Sequence, residues 1–264
     1  CIVITALFTL NMIPVSRLRL VIFSQVLAML LSGLLGSHLM VDSIADLLKG
    51  RFTANTLLTL TFAACLVDGV FCLKDLRIPC CAAFCLEMFF ALLGRYEKRN
   101  TEMSQMDTMR KATRLDSVVG VPDVHEGRTG FLRGEGQVED FMDHYAAITG
   151  PEKVLGVYAL VVLGVSLGIG ITAGVLYGAV MGIQAFSAAV LVGMPATAFI
   201  SQSRPMAVLE RRLHKHGTVL CGWQGVVGLS RRAVFSINHE DLFPVGSCKL
   251  NGVKFYGDRN PDQV

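Results

Sequence analysis

The feature that most restricts the fold is a stretch from residue 154 to 203 that contains no Asp, Glu, Lys, Arg or His. A helix needs only about 20 residues to cross a hydrocarbon core of about 30 Å. The stretch is therefore long enough for two spanning helices in succession. We predict a polytopic α-helical membrane protein, whose first partner is the lipid bilayer, rather than a soluble globular domain.

Four more apolar runs precede this stretch, and the mean hydropathy of +0.52 agrees with a chain that lies largely in a membrane. Residues 41–52 place apolar side chains on one face of a helix and charged side chains on another, which is typical of an amphipathic helix. We therefore expect a helical platform in the bilayer interface that extends the second span. Because the chain begins with Cys1 inside an apolar run, we expect it to be part of a longer protein. The six predicted spans are 1–13, 20–35, 55–73, 79–93, 154–172 and 179–201.

Lys and Arg residues fix the expected orientation, because short cytoplasmic loops carry an excess of them. Six lie between residues 95 and 114 and four between 204 and 215, whereas the opposite side has Arg17, Arg19, Lys74 and Arg77 and an uncharged turn near Gly174. We predict a multi-pass protein of the cell (plasma) membrane with residues 96–153 and 204–264 in the cytoplasm. The net charge of +3 is small and dispersed, which argues against nucleic acid as a partner.

The expected organisation has four parts. Residues 1–95 form the first four spans, 96–153 a small α/β cytoplasmic loop, 154–203 the last two spans, and 204–264 the start of a second cytoplasmic domain. The first loop is predicted to begin as a helix through Arg114 and to turn into a β element at 117–121. The second is predicted to contain a basic helix at 205–216 and a short strand at 232–237.

Eight cysteines mostly fall inside apolar runs, where a thiol behaves as a small hydrophobic group, so we expect them to be reduced. Cys81 and Cys85 share one helical face, which leaves packing and metal ligation open. The basic segment His214-Lys215-His216 leaves metal binding and contact with water or anionic lipid open.

Local motifs point to one family. Asn55-Thr56-Leu57 stands at the entry to the third span and Leu92-Leu93-Gly94-Arg95-Tyr96-Glu97 at the exit from the fourth. Met194-Pro195-Ala196 interrupts the sixth, and Pro205-Met206-Ala207 and Gly217-Thr218-Val219-Leu220 follow it. In order and spacing these segments resemble the heavy-metal (CPx-type) P-type ATPases, which pump soft or transition-metal cations across membranes.

The resemblance implies the family's fold: two leading helices with a platform, a helix pair, an actuator loop, and a second pair that leads into a phosphorylation domain. It also implies a degenerate and truncated member. Asn238 aligns with the phosphorylated Asp, and His239, Glu240 and Asp241 stand where the family has lysine, threonine and glycine. An amide cannot accept a phosphoryl group as a carboxylate nucleophile does, so we expect no intact catalytic residue.

The implied cation site is altered as well. The family's Cys-Pro-Cys aligns with Met194, Pro195 and Ala196, so the two thiolates that would select a soft cation are absent, and the family's entrance methionine aligns with Ala54. Met194 on the sixth span remains as a candidate thioether ligand for a metal. Glu87 and Cys85 on the fourth span are further candidate ligands.

Acidic residues at membrane depth are functional candidates by default. Glu87 is either a cation ligand or a proton carrier, or it is a packed structural residue; Asp68, near the non-cytoplasmic turn, is expected to be solvated at the interface. Two partial echoes of the family's actuator Thr-Gly-Glu, ending in Glu135 and Glu152, are expected to be coincidental.

The main hypothesis is a P-type ATPase-like membrane protein that does not autophosphorylate and has a non-pumping or regulatory role, and so is not an enzyme as it stands. One alternative is a working cation pump that uses ATP, Mg²⁺ and a transition-metal cation and is completed by sequence beyond Val264 or by another chain. The other is a membrane scaffold that binds a membrane or cytoplasmic protein.

Overall fold

The computed structural model describes residues 2–10, 14–75, 77–125, 128–136, 140–194, 196–230, 233–235 and 242. Helices dominate these residues, and three short strands form a single sheet. The helices are α1 (Ile2–Thr9), α2 (Leu18–Leu35), α3 (Ser37–Leu48), α4 (Ala54–Asp75), α5 (Cys81–Lys111), α6 (Phe141–Ala146), α7 (Gly150–Tyr177), α8 (Ala179–Gly193), α9 (Ala198–His214) and α10 (Gly222–Ser230).

The helix bundle has an apolar exterior, and several polar side chains are buried within its mainly apolar interior. Leu20, Leu34 and Val157 are each at least 65% exposed, although a water-soluble protein would bury most such side chains. Asp68 and Glu87, in contrast, are buried. This distribution suits a bundle whose outer surface is solvated by lipid. The chain is a polytopic helical membrane protein, as the sequence predicts.

In the part of the chain that the structure describes, four helical segments are long and apolar enough to cross a membrane: Leu18–Leu35, Ala54–Lys74, Phe141–Tyr177 and Ala179–His214. They correspond to the second, third, fifth and sixth predicted spans. The first and fourth predicted spans do not reach this length and composition. The helix α1 has 8 residues, and α5 continues from an apolar half into a polar half that carries most of its charges.

The apolar half of α5 nevertheless lies inside the bundle. Cys81, Phe84, Met88 and Ala91 belong to one buried cluster together with residues of α2, α4, α7 and α8, including Met29, Leu58, Ala159 and Val190. Because these side chains meet protein rather than lipid, the helix does not need a fully apolar circumference.

A separate helix, α3, overlaps the predicted platform. It begins directly after Gly36, where the backbone departs from α2, and its apolar residues Val41, Ile44 and Leu48 are exposed. Asp42 on α3 accepts a hydrogen bond from Arg95 at 2.8 Å, which ties the platform to the point where α5 turns polar.

The helices α7 and α8 form a tight hairpin. The sequence places the turn near Gly174, and this is wrong: Gly174 lies inside α7, and the chain reverses at Gly178, whose φ of +98° favours glycine. The two helices approach closely because Gly170, Gly174 and Gly182 present no side chains at the crossing.

A single sheet joins the two loops. The strand β1 (Asp116–His125) pairs antiparallel with β2 (Arg128–Glu135), and β2 pairs in parallel with β3 (Ala233–Phe235). The predicted β element at 117–121 is confirmed, and so is the described part of the strand at 232–237. The two segments predicted to be cytoplasmic thus share one sheet.

Candidate intramembrane site

The last apolar segment is a broken helix. The helix α8 ends at Gly193, Met194 has an extended backbone, and α9 begins at Ala198. The sequence predicts this break from Pro195, which lies outside the described residues. The break frees backbone carbonyls, and the hydroxyl of Tyr158 on α7 donates to that of Gly193 at 2.7 Å.

A small recess lies beside the break. It brings together Met194 and Ala54, which the sequence predicts to correspond to the first cysteine and the entrance methionine of the heavy-metal pumps. Ala196, which is predicted to correspond to the second cysteine, is half-buried and does not line the recess. The lining is apolar apart from the Tyr158 hydroxyl, and it consists of Ala54, Leu57, Leu155, Tyr158, Ala159, Met194, Ala198 and Phe199.

A stripe of hydroxyl, thiol and carboxyl groups runs along α4 from this recess, and we call it the α4 stripe. It comprises Thr61, Cys65, Asp68 and Cys72, each at most 1% exposed. Steps of four, three and four residues keep all of them on one helical face. At the end of the stripe nearest the helix break, the Thr61 hydroxyl lies 4.0 Å from the sulfur of Met194. The sequence contains this spacing, but only Asp68 of these four residues was identified there as a functional candidate.

An ion pair closes the other end of the α4 stripe. The guanidinium of Arg77 contacts both carboxylate oxygens of Asp68, with Nη1 at 3.4 Å from Oδ2, and the thiol of Cys72 lies 3.6 Å from the same oxygen. Asp68 is 0% exposed. The expectation that it is solvated at the interface is therefore wrong, because Arg77 folds back over the end of α4 and takes the place of water.

The candidate residues Glu87 and Cys85 point in different directions. Two residues along a helix correspond to a rotation of about 200°. Cys85 accepts a hydrogen bond from Ser32 of α2 at 3.4 Å, whereas Glu87 lies within electrostatic range of Cys65 on the α4 stripe. Met194 contacts Thr61, one turn of α4 away from Cys65. Glu87, Cys85 and Met194 do not converge on one point.

Among the described residues, no three His, Cys, Asp or Glu side chains are grouped closely enough to hold a metal ion. The six described cysteines carry no disulfide. Cys81 is buried in the core cluster, and Cys85 packs partly against it. His214, of the basic segment, contacts the Thr108 hydroxyl through Nδ1.

Beyond the apolar segments, α5 and α9 leave the bundle side by side. Three contacts join them: Glu97 with Arg204, Gln105 with Glu210, and Thr108 with His214. Because the residue numbers rise in the same direction on both helices, the two helices run in parallel. The added Cβ of an alanine at Gly94 would clash with the carbonyl oxygen of Phe199. We call this pair the α5–α9 stalk.

Glu210 is the buried centre of the α5–α9 stalk and was not singled out from the sequence. It accepts hydrogen bonds from the side chain of Gln105 at 2.6 Å and from the backbone N–H of Leu220 at 3.2 Å. Tyr145 of α6 donates to the same Gln105 at 2.8 Å. Burial raises the pKa of Glu210, and the two hydrogen bonds offset this only in part.

Other motif positions have structural roles. Pro205 lies inside α9, and Gly217, with φ of +67°, ends that helix in a left-handed conformation. Glu135 pairs with Arg114 at the end of the β hairpin. Glu152 and Thr149 form a reciprocal capping box at the start of α7. Asn238, His239, Glu240 and Asp241 lie outside the described residues.

No protein-family model, curated protein or solved structure matches this chain.

Proposed function

We propose that this chain is a cell-membrane protein related to the heavy-metal P-type ATPases that keeps their membrane scaffold and lacks their covalent chemistry. Its role is then regulatory rather than pumping. The observation that carries the proposal is the broken last membrane helix, in which Met194 faces the recess beside Ala54 and the following helix leaves next to α5.

The sequence at the break supports the loss of pumping. A soft cation prefers thiolate ligands, and the two positions that would supply them hold a thioether at Met194 and a methyl group at Ala196. The rest of the recess offers a single hydroxyl, that of Tyr158. Such a lining provides poor coordination for a transition-metal cation that must be stripped of water.

The sequence at Asn238 supports the loss of phosphorylation. Phosphoryl transfer to the enzyme needs a carboxylate in line with the γ-phosphate, and a lysine and Mg²⁺ to stabilise the developing charge. Asn238 offers a neutral amide, and the residue after it is His239 instead of lysine. We expect ATP and Mg²⁺ to produce no covalent intermediate on this chain.

The proposal includes six crossings of the membrane. The helix α5 lies in the same buried cluster as four other membrane helices, and its apolar residues 81–94 rise about 21 Å along the helix axis, which covers most of the hydrocarbon core. The helix α1 would then form part of the first crossing. With α5 as a crossing helix, both basic segments lie on the cytoplasmic side.

A phosphorylation assay tests the function. The purified protein is incubated with γ-labelled ATP and Mg²⁺, quenched in acid, and compared with Asn238→Asp. We expect no acid-stable label in either protein, because the variant still lacks the lysine. Acid-stable, hydroxylamine-sensitive label on the unmodified chain would overturn the proposal and favour a working pump.

A further inference from the structure

Glu87 is a buried carboxyl group for which the proposed function has no use. Its side chain is 4% exposed, and it shares a face of α5 with Phe84 and Ala91 in the core of the bundle. Its Oε2 atom is buried and has no hydrogen-bond partner in the described part of the chain. None of the ion pairs among the described residues includes it.

Among the described residues, no cation is paired with Glu87. On α4, Cys65 is in electrostatic range, Asp68 is paired with Arg77, Cys72 contacts Asp68, and the cation Lys74 lies nine residues beyond Cys65, near the end of the helix. The apolar parts of α2, α7 and α8 contain no charged residue or histidine, and the first cation on α9, Arg204, pairs with Glu97. On α5 itself, Phe84 and Ala91 lie on the same face as Glu87, and neither carries a charge.

An unpaired carboxylate in such a place is costly. Moving an isolated charged carboxylate from water into a medium of low dielectric constant is so unfavourable that the group takes up a proton instead. A neutral carboxyl group can still donate one hydrogen bond and accept others. The geometry therefore favours a Glu87 that holds a proton.

A row of polar groups leads away from Glu87. Cys65 lies near the middle of α4, about 16 Å from each end of the helix, so Glu87 is near the centre of the membrane. From Cys65 the α4 stripe leads one turn to Thr61 and on to Met194 and the recess at the helix break. The Thr61 hydroxyl in this row donates to the carbonyl oxygen of Leu57 at 2.8 Å, so it can pass on a proton only after it rotates out of that bond. Hydroxyl and thiol groups both donate and accept hydrogen bonds, as a proton path requires.

We propose that Glu87 is a proton-binding site inside the membrane, and that its proton exchanges with the cytoplasmic side through Cys65, Thr61 and the recess. The step is the reversible release of one proton from the carboxyl group to water, with no other bond formed or broken. The inference goes beyond the proposed function and does not depend on a relation to P-type pumps.

Infrared spectroscopy of the protein in lipid vesicles tests the site. A protonated carboxyl group has its own carbonyl stretching band, which shifts when the proton is replaced by deuterium. We expect this band at neutral pH, a shift in D₂O, and loss of the band in Glu87→Gln. Glu102→Gln, on the polar half of α5, is the matched control and should keep the band.

Variants of the α4 stripe test the path. Cys65→Ser keeps a group that donates and accepts hydrogen bonds, and it should keep the shift in D₂O; Cys65→Ala should lose it over the same time. Absence of the band in the unmodified protein would overturn the site without requiring any variant to fold. Persistence of the band in Glu87→Gln, or a band that never responds to D₂O, would overturn it as well.

Discussion

At the scale of single residues, we expect stability to be most sensitive to mutation of the ion pair between Asp68 and Arg77, at the end of the α4 stripe. Asp68 is fully buried, and its partner Arg77 is 22% exposed at the side chain. Removing one member of a buried pair is strongly destabilising because the other remains as an uncompensated charge. We therefore expect the loss of stability to depend on which of the two residues is replaced.

We expect Arg77→Ala to reduce the free energy of unfolding by about 3 kcal/mol, and Asp68→Asn to reduce it by less, because no buried charge is left behind. The measurement is unfolding of the purified protein in detergent micelles. The double variant should be more stable than Arg77→Ala alone. Equal stability of all three variants and the unmodified protein would contradict the ion pair.

The environment of a residue could be predicted from the sequence only where it depends on residues nearby in the chain. Glu87 was identified from its position inside an apolar run, and it is buried. The environment of Asp68 was predicted wrongly because Arg77 follows nine residues later, and only the folded chain shows that it turns back. Glu210 was missed because its partner Gln105 is 105 residues away.

At the scale of helices, close packing of the α7–α8 hairpin depends on glycine. A Cβ atom at Gly182 would lie 2.8 Å from the Cα of Gly174 and 2.8 Å from the carbonyl oxygen of Gly170. Both contacts are with backbone, which cannot rotate away. A Cβ atom at Gly168 would meet no atom within 4 Å, so this residue provides a matched control on the same hairpin.

We expect Gly182→Val to destabilise the protein by roughly 1–3 kcal/mol, through overpacking at the helix crossing. Gly168→Ala should leave stability within about 1 kcal/mol of the unmodified protein, because alanine suits a helix interior. Thermal unfolding in micelles compares the two. Equal losses in both variants would show that the crossing is not as close as described.

The α5–α9 stalk should respond to pH through Glu210. Burial raises the pKa of this carboxyl group in the folded protein, so the folded state binds its proton more tightly than the unfolded chain does. The contribution to stability is full below the unfolded pKa and is lost as the pH rises through the folded pKa.

We therefore expect the stalk to become less stable as the pH rises above the ordinary Glu range, and Glu210→Gln to weaken this dependence. Hydrogen exchange of the amides in α9, measured at several pH values, reports on it directly. A pH profile that is identical in the variant would rule out Glu210 as its source.

The positions of the helices were easier to predict than where each helix ends and which other helix it packs against. Hydropathy located α2, α4, α7 and α8, because apolar length is a local property. The turn at Gly178 was placed four residues too early, since any glycine in that run could have served. The parallel course of α5 and α9 depends on contacts between distant segments, which one sequence does not reveal.

At the scale of the whole molecule, the bundle departs from the usual distribution of polar and apolar residues at its surface. Many leucines and valines are exposed, whereas Asp68, Glu87 and several hydroxyl and thiol groups are buried beside an apolar core. Composition predicts this class of protein. It does not predict the number of crossings, because a helix surrounded by other helices, such as α5, can carry Glu87 and still lie in the membrane.

The proposed relation to P-type pumps and the site at Glu87 both require α5 to cross the bilayer. If it does, residues before and after its apolar half lie on opposite sides. If it does not, Lys74 and Asn100 lie on the same side, and the loop 96–153 is not cytoplasmic.

Labelling of single cysteines decides between these arrangements. A membrane-impermeant thiol reagent is applied to intact cells and to permeabilised cells that carry Lys74→Cys or Asn100→Cys, in a background whose native cysteines are replaced by serine or alanine. We predict that Lys74→Cys is labelled in intact cells and Asn100→Cys only after permeabilisation. Labelling of both positions in intact cells, or of both only after permeabilisation, would contradict the account.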